Sequence, residues 1–500
     1  MNQMKTLMSQ RIFNSNTCRI LFATCLSALC LAALSAEAAT ITVINTADSG
    51  PGSLRQALAD ANNEDTINFD SSLNGQTITL TSGELVVNRI VSINGPGLNN
   101  LAVDANYASR VFHVSGGASV TISGLSITNG FASGLYGGGI YNDHSTLSVI
   151  NCALSGNSAN DAGGIYNDGA SGGSATLYVL NCTLSGNGAP VAGGIYNYGF
   201  DGSATLTINN STLCGNSAYI GGSIYNYGVS GSATLTINNS TLSDNSATNG
   251  GGIYNYGLAG SAAITINNST LSGNYAPVHG GGIYNNNGGL GSATLTIRDT
   301  ILGASGENIF NSGGTVTSLG YNVSNDGGGG FLTATGDQVN TDPMLGPLQD
   351  NGGPAFTHAL LSGSPAIDAG DPSFDPYSFS PPLIEDQRGA GFPRVVNDRI
   401  DIGAFEVPPA PTPTPAYAAQ IQQPINADGT SIFNVRRGVV PVKFTLTVGG
   451  VATCALPPAT IAVSRTAGGA TGQIDESVYS GSADTGSNFR IDNCQYIYTI

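Results

Sequence analysis

Through the middle of the chain, apolar and polar residues alternate one by one. In SATLTI at 203 to 208, Leu206 and Ile208 fall on one side and Thr205 and Thr207 on the other, the period-two signature of a strand with one buried face. Such runs return, each followed by a phrase of the type NCTLSGN or NNSTLSGN that sets Leu154, Leu184, Leu213, Leu242 and Leu271 in step. A third phrase, GGGIYN with its variants GGIYN and GGSIYN, anchors Tyr141, Tyr166, Tyr196, Tyr225, Tyr254 and Tyr284, so the period is 25 residues once and then 29 or 30. A fixed period in this range marks a stacked-repeat architecture.

The unit is crowded with Gly, Thr, Ser and Asn and lacks apolar spacings of three and four, which argues against helical repeats. A propeller blade needs roughly 40 residues and four strands, more than the unit offers. What remains is a coil of two or three short strands per turn, each turn pairing in register with the next about 4.8 Å away. That is a parallel β-helix. Identical residues then stack in columns: Ile140, Ile165, Ile195, Ile224, Ile253 and Ile283 as an inward apolar column, and Asn142, Asn167, Asn197, Asn226, Asn255 and Asn285 as an amide ladder at a bend.

These phrases resemble the bacterial right-handed parallel β-helix proteins of the pectin-lyase-like superfamily, including the repeats of polymorphic outer-membrane proteins. The resemblance implies an all-β, right-handed solenoid at or outside the cell surface. Further on, DPMLGPLQDNGGPAFTHALLSGSPAIDAGD, DQRGAGFPR and DIGAFE resemble the carboxy-terminal part of such proteins, of the choice-of-anchor type. VRRGVVPVKFTLT resembles a PxKF-type module, with Pro441, Lys443 and Phe444 matching its pattern.

Taken in order, residues 1–38 read as a signal peptide: Lys5, Arg11 and Arg19 precede an apolar run from Ile20 to Leu34, and Ala36-Glu37-Ala38 fits a cleavage site. The run falls short of the ~20 residues of a membrane span. Residues 39–130 form an amino-terminal cap and the first coils. Within them Ser53, with Gln56 three residues on, starts one short helix whose face of Leu54, Ala57, Leu58 and Ala61 covers the open end of the solenoid. The regular repeats occupy 131–311, terminal coils and a carboxy-terminal cap 312–406, and a Pro-rich linker 407–416. Residues 417–500 read as a β-sandwich, truncated because the chain stops at Ile500 inside an apolar alternation.

Charge narrows the partners. Removing Lys5, Arg11, Arg19 and Glu37 from totals of 15 basic and 32 acidic residues leaves 12 against 31, a net of −19, which disfavours nucleic acid and anionic membranes. Five of the eight cysteines survive cleavage. Cys152 and Cys182 share a repeat position with Ser211, Ser240 and Ser269 and read as stacked inward residues, while Cys454 and Cys494 make a disulfide candidate.

Candidate chemistry is sparse. No Lys or Arg stands between Arg110 and Arg298, so the regular coils lack the cation and base that a polysaccharide lyase needs. No GxSxG elbow occurs, His113 reads as structural, and no cofactor is implied. Calcium on the carboxylates near the end of the solenoid, Asp342 to Glu406, is the weaker alternative to a cap of Arg–Asp pairs and turns. If Ile and Asn of the GGGIYN phrase point inward, Tyr and the residue two beyond it point outward, which pairs Tyr166 with Asp168, Tyr196 with Tyr198, Tyr225 with Tyr227 and Tyr254 with Tyr256. Two aromatic columns result, with Asp143 and Asp168 neighbours at one end, where they suit a cation or a retaining hydrolase. The sequence thus points to a secreted or cell-surface monomer, structural or adhesive, with two readings of the tyrosines: they bind a polysaccharide or cell-surface glycan, or they only pack beneath Gly-rich loops such as YGFDGSA and YGVSGSA. The alternative is a carbohydrate-active enzyme of the pectin-lyase-like class.

Overall fold

The computed structural model describes residues 38–409, 417–422, 441–448, 450–454, 464–465, 472–473, 490–492 and 495–499. The chain divides into two compact units, Met1–Pro409 and Ala410–Ile500. The signal-peptide reading and most of the linker lie outside the described residues.

The first unit is a right-handed parallel β-helix with three sheets. The first sheet has eleven strands from Thr40–Val43 to Thr315–Gly320, the second ten from Gln76–Thr79 to Val323–Ser324, and the third nine from Leu85–Val87 to Ile309–Ser312. Within each sheet, equivalent residues of successive turns pair directly. Leu177, Leu206 and Leu235 align in the first, Leu184, Leu213 and Leu242 in the second, and Ile195, Ile224 and Ile253 in the third. All are fully buried. Alternation along each strand therefore fixes which side chains fill the coil and which face out.

Polar residues hold the corners. The corner after the first sheet is always Asn or Asp, from Asn151 through Asn181, Asn210, Asn239 and Asn268 to Asp299, with φ between 47° and 53°. These two residues enter the left-handed region more readily than other non-glycine residues. Next inside come Cys152, Cys182, Ser211, Ser240 and Ser269. The backbone N–H of Cys182 donates to Ser211 Oγ at 3.0 Å, that of Ser211 to Ser240 Oγ at 3.1 Å and that of Ser240 to Ser269 Oγ at 3.2 Å. Both cysteines are buried and free.

The amide ladder runs as its spacing suggests. Asn142 Nδ2 donates to Asn167 Oδ1 at 2.7 Å, and the chain of bonds continues through Asn197, Asn226, Asn255 and Asn285 to Asn311. Each amide also reaches strand carbonyls, as Asn226 does with Ala233 and Ala263. The ladder ends where Val114 pairs with Asn142, leaving Asn142 Oδ1 without a donor. A second ladder, not anticipated above, is built from the last residue of the LSGN phrase. In it Asn157, Asn187, Asn216, Asn245 and Asn274 each bond to the next, at 2.9 to 3.0 Å.

Both ends are covered. The helix Leu54–Asp60 starts at Ser53, whose hydroxyl accepts from Gln56 N–H, and it buries Leu54 and Ala57. The Gln56 side chain turns to Asp60 rather than back to the cap, so only half of the expected capping box forms. At the far end Phe331 and Leu332 pack on the core. Residues 345–406 depart from the expectation of terminal coils: they fold back along the side of the solenoid. There Gln387 bridges Thr212 and Thr241, His358 meets Ser243, and Ala404 N–H donates to Thr270 Oγ1. The cause is that the second sheet's outward threonines and Ser243 supply a row of hydrogen-bonding groups that this segment satisfies and buries.

In the second unit, the described strands Tyr417–Gln422, Pro441–Val448, Val451–Thr453, Arg490–Asp492 and Gln495–Thr499 form one antiparallel sheet. Ser464–Arg465 and Gly472–Gln473 pair antiparallel as a separate two-stranded sheet. Cys454 is disulfide-bonded; Cys494, its expected partner, lies outside the described residues. Among the described residues no helix is long and apolar enough to cross a membrane.

Two substitutions test the stacking. Ile224→Asp places an unpaired charge in the core column, and protease resistance should fall across several neighbouring turns. Asn226→Ala leaves the buried Asn255 Oδ1 without its donor and takes one acceptor from Asn197 Nδ2, at about 1–3 kcal/mol for the unsatisfied group. Urea denaturation should show the loss, and an unchanged midpoint for both variants would remove the inward assignment.

Candidate functional site

The third sheet displays one outward side chain per turn at the Tyr position of GGGIYN. In register this column reads Val86, His113, Tyr141, Tyr166, Tyr196, Tyr225, Tyr254, Tyr284 and Phe310. Two residues on, a parallel column reads Asp143, Asp168, Tyr198, Tyr227, Tyr256 and Asn286. Both columns expected from the sequence exist, but they are not equally open. Tyr166, Tyr196 and Tyr225 are only 3 to 6% exposed. Ala162, Ala192, Val191 and Ile220 cover them on one side, and the second column on the other. The expectation of an exposed first column is corrected accordingly: at coil spacing the rings are close enough to bury one another.

The contacts are aromatic throughout. Tyr166 meets Tyr196 edge-on at 5.0 Å, Tyr196 stacks on Tyr225 at 4.9 Å, and Tyr225 lies 5.0 Å from Tyr254. Tyr198, Tyr227 and Tyr256 remain half-exposed, and Tyr198 stacks on both Tyr227, at 5.3 Å, and the exposed Phe200, at 6.1 Å. Because these rings lean on one another, edges and hydroxyls reach solvent more than open faces do. Burial pushes the phenols of Tyr141, Tyr166, Tyr196 and Tyr225 far up, and that of Tyr254 to about 12. None of them is a base near neutral pH.

At the amino-terminal end the aromatic columns give way to ionisable groups. Asp143 and Asp168 pair directly across adjacent strands. Asp168 is buried and accepts from Tyr141 Oη at 2.7 Å and from Ala170 N–H at 3.1 Å. His144 Nδ1 lies 2.5 Å from Asp143 Oδ1, and its Nε2 lies 2.9 Å from the Ala170 carbonyl. His113 Nδ1 lies 3.0 Å from Glu84 Oε1, and its Nε2 lies 3.6 Å from Asp143 Oδ2. Arg110 is ion-paired with Glu84, and its guanidinium sits over the Tyr141 ring.

Sequence reasoning placed Asp143 and Asp168 here but missed Glu84, Arg110 and His144 and treated His113 alone. Arg110 precedes the regular repeats in sequence, yet its turn stacks directly beneath the first of them. The available signal was the single short period. Between Asp143 and Thr146 only two residues of corner are needed, whereas the next turn takes Gly169 to Gly173 before Ser174. That longer loop overhangs the shorter one, with His144 beneath it at φ 50°. A Cβ on Gly173 would come within 2.0 Å of His144 Cδ2, so glycine there leaves room for the imidazole.

The carboxylates between Asp342 and Glu406 do other work. Asp386 pairs with Arg388, Asp342, Asp350 and Asp371 accept from backbone N–H groups two residues on, and Asp401 accepts from Asp368 and Val407. Burial pushes Glu406 up to about 8, and a carboxyl held protonated near neutral pH is a poor calcium ligand.

No protein-family model matches the chain, and no curated protein matches it in sequence. Among solved structures it is similar to "Crystal structure of pectate lyase Pel9A", with 13% identity and a TM-score of 0.41 over 74% of this chain and 97% of that one.

The four histidines offer a direct check on the electrostatics. The hydrogen bond to Asp143 raises His144 above its ordinary 6.5, whereas burial lowers His358. For His144 the linked stability is fully present below 6.5 and lost as pH rises through its folded value; for His358, stability falls as pH drops below 6.5. In an NMR titration the two ring signals should move on opposite sides of 6.5, and Asp143→Asn should bring His144 back toward it. Coincident titration of both would contradict the geometry.

Proposed function

We propose that the protein is exported and serves at the cell surface as a structural or adhesive β-helix that binds glycans along the outer tyrosine columns. The observation that carries this reading is the strip of half-exposed Tyr198, Tyr227 and Tyr256 with Phe200 beside it. Its rings are 5.3 to 6.1 Å apart and backed by a second, buried column. Tyrosine combines apolar area with a hydroxyl and loses little rotamer freedom on binding, which suits a sugar chain with hydroxyls at the rim of apolar ring faces. A repeating row of equivalent groups favours a repeating ligand, since each further turn adds a linked contact. The acidic balance of the chain favours neutral or cationic glycans over polyanions.

A second reading, hydrolysis, draws on the neighbouring Asp143 and Asp168. A retaining glycosidase needs its two carboxyls about 5–5.5 Å apart and one of them protonated. Asp168 accepts two hydrogen bonds, from a phenol and a backbone amide, which hold its carboxylate in a fixed orientation beside Asp143.

The test is retention on a panel of immobilised polysaccharides together with a lyase and hydrolase screen. Replacing Tyr198, Tyr227 and Tyr256 together by Ala should abolish retention while leaving a folded solenoid by circular dichroism. Undiminished retention by that folded variant would refute the binding strip, and turnover abolished by Asp143→Asn would move the protein to the enzymatic reading.

A further inference from the structure

We propose that Asp143, His144 and Asp168 form a binding site for a divalent transition-metal ion, with His113 as a fourth group beside it. The site is independent of the glycan reading, because it lies at the end of the columns where tyrosine is replaced by ionisable residues.

The first observation is convergence. One oxygen of Asp143, one of Asp168 and one ring nitrogen of His144 lie within 4.8 Å of one another, close enough for a single ion to gather them at bond lengths near 2.0–2.2 Å. Parallel pairing brings the two aspartates together, and the short corner after Asp143 turns His144 back toward them.

The second observation is how the imidazoles are held. His144 Nε2 faces the Ala170 carbonyl and His113 Nδ1 faces the Glu84 carboxylate. Both partners are acceptors, so each of these nitrogens carries the proton. The other nitrogens, His144 Nδ1 and His113 Nε2, both face the carboxylate of Asp143; Nδ1–H of protonated His144 donates to it, and loss of that proton frees a lone pair at the same place. His113 Nε2 is wholly buried and has no hydrogen-bond partner. An imidazole whose far N–H is fixed by a carboxylate or a backbone carbonyl is the usual outer-shell arrangement of a metal-binding histidine. Asp168 is oriented likewise, by Tyr141 Oη and Ala170 N–H. In the free protein a proton on His144 supplies the positive charge beside Asp143, and a metal ion bound between the rings and the carboxylates takes its place as that proton is released.

The donor set selects the class of ion. Calcium takes six to eight oxygens, and here two carboxylates share the site with imidazole. Mixed nitrogen and oxygen donors suit zinc, cobalt or nickel. His144 is 38% exposed and Asp143 32%, so solvent can complete the coordination.

The experiment uses the full chain without a histidine tag, stripped with chelator and titrated with cobalt(II) under visible absorption. One equivalent should bind with ligand-field bands characteristic of nitrogen and oxygen donors, and a millimolar excess of calcium should leave them in place. His144→Gln and Asp143→Asn should each weaken binding at least about tenfold, as should His113→Gln, while Cys152→Ser, Cys182→Ser and Cys214→Ser together leave it unchanged. Circular dichroism confirms that each variant is folded, and the exposed His144 gives the variant least able to disturb the coil. No stoichiometric uptake by the wild type, a thiolate charge-transfer band, displacement by calcium, or full retention of binding by folded His144→Gln would each overturn the proposal.

Discussion

One constraint runs through the regular turns: an asparagine buried inside the coil is satisfied by the asparagine of the next turn standing directly beside it. Each amide has two donors and an acceptor to satisfy, and strand pairing alone satisfies none of them. The ladders through Asn167, Asn197, Asn226 and Asn255 and through Asn187, Asn216 and Asn245 meet that demand with bonds from turn to turn. A slip of one residue would put every one of these groups against an apolar neighbour or into solvent. Apolar burial drives the coil together, and the amides decide which register it adopts.

Register inside dictates order outside. Because Ile195, Asn197, Ile224 and Asn226 are locked into columns, Tyr196, Tyr198, Tyr225 and Tyr227 between them are locked as well. The outer face is therefore an array rather than a scatter of aromatic residues, and neighbouring rings bury each other. The one break in period, at the turn holding Tyr141, ends the array and creates a step. Ionisable residues collect there under the overhanging loop. The second sheet shows the same principle from another side, since its row of Thr212, Thr241 and Thr270 offers equivalent hydrogen-bonding groups to the segment that covers them.

Much of this was legible in the sequence because repetition supplies its own alignment. The identical phrases reveal which residues share a column, and alternation reveals which of them face inward, so the Ile and Asn columns and the pairing of Asp143 with Asp168 could be read without coordinates. What could not be read were contacts set by long-range folding. Nothing in the local pattern of residues 345–406 says that they lie along the second sheet rather than on its end. That the tyrosines pack was one of two readings of the sequence, but that Tyr166, Tyr196 and Tyr225 are the buried ones was not readable, since it depends on how large outward rings settle against Ala162, Ala192 and Ile220. Glu84, Arg110 and His113 belong to less regular turns, where the register that brings them to Asp143 is not marked by a repeated phrase.

The most direct measurement of the central claim, that in-register stacking turns outward tyrosines into a continuous buried column, is a spectrophotometric titration of the phenols. With no tryptophan and 20 tyrosines in the chain, the phenolate signal is unobstructed. Exposed phenols should ionise reversibly near pH 10. The column of Tyr141, Tyr166, Tyr196, Tyr225 and Tyr254 should remain protonated well beyond that and ionise only as the solenoid unfolds. Reversible ionisation of every tyrosine near pH 10 in the folded protein would show that the column is not buried, and the stacking described here would be wrong.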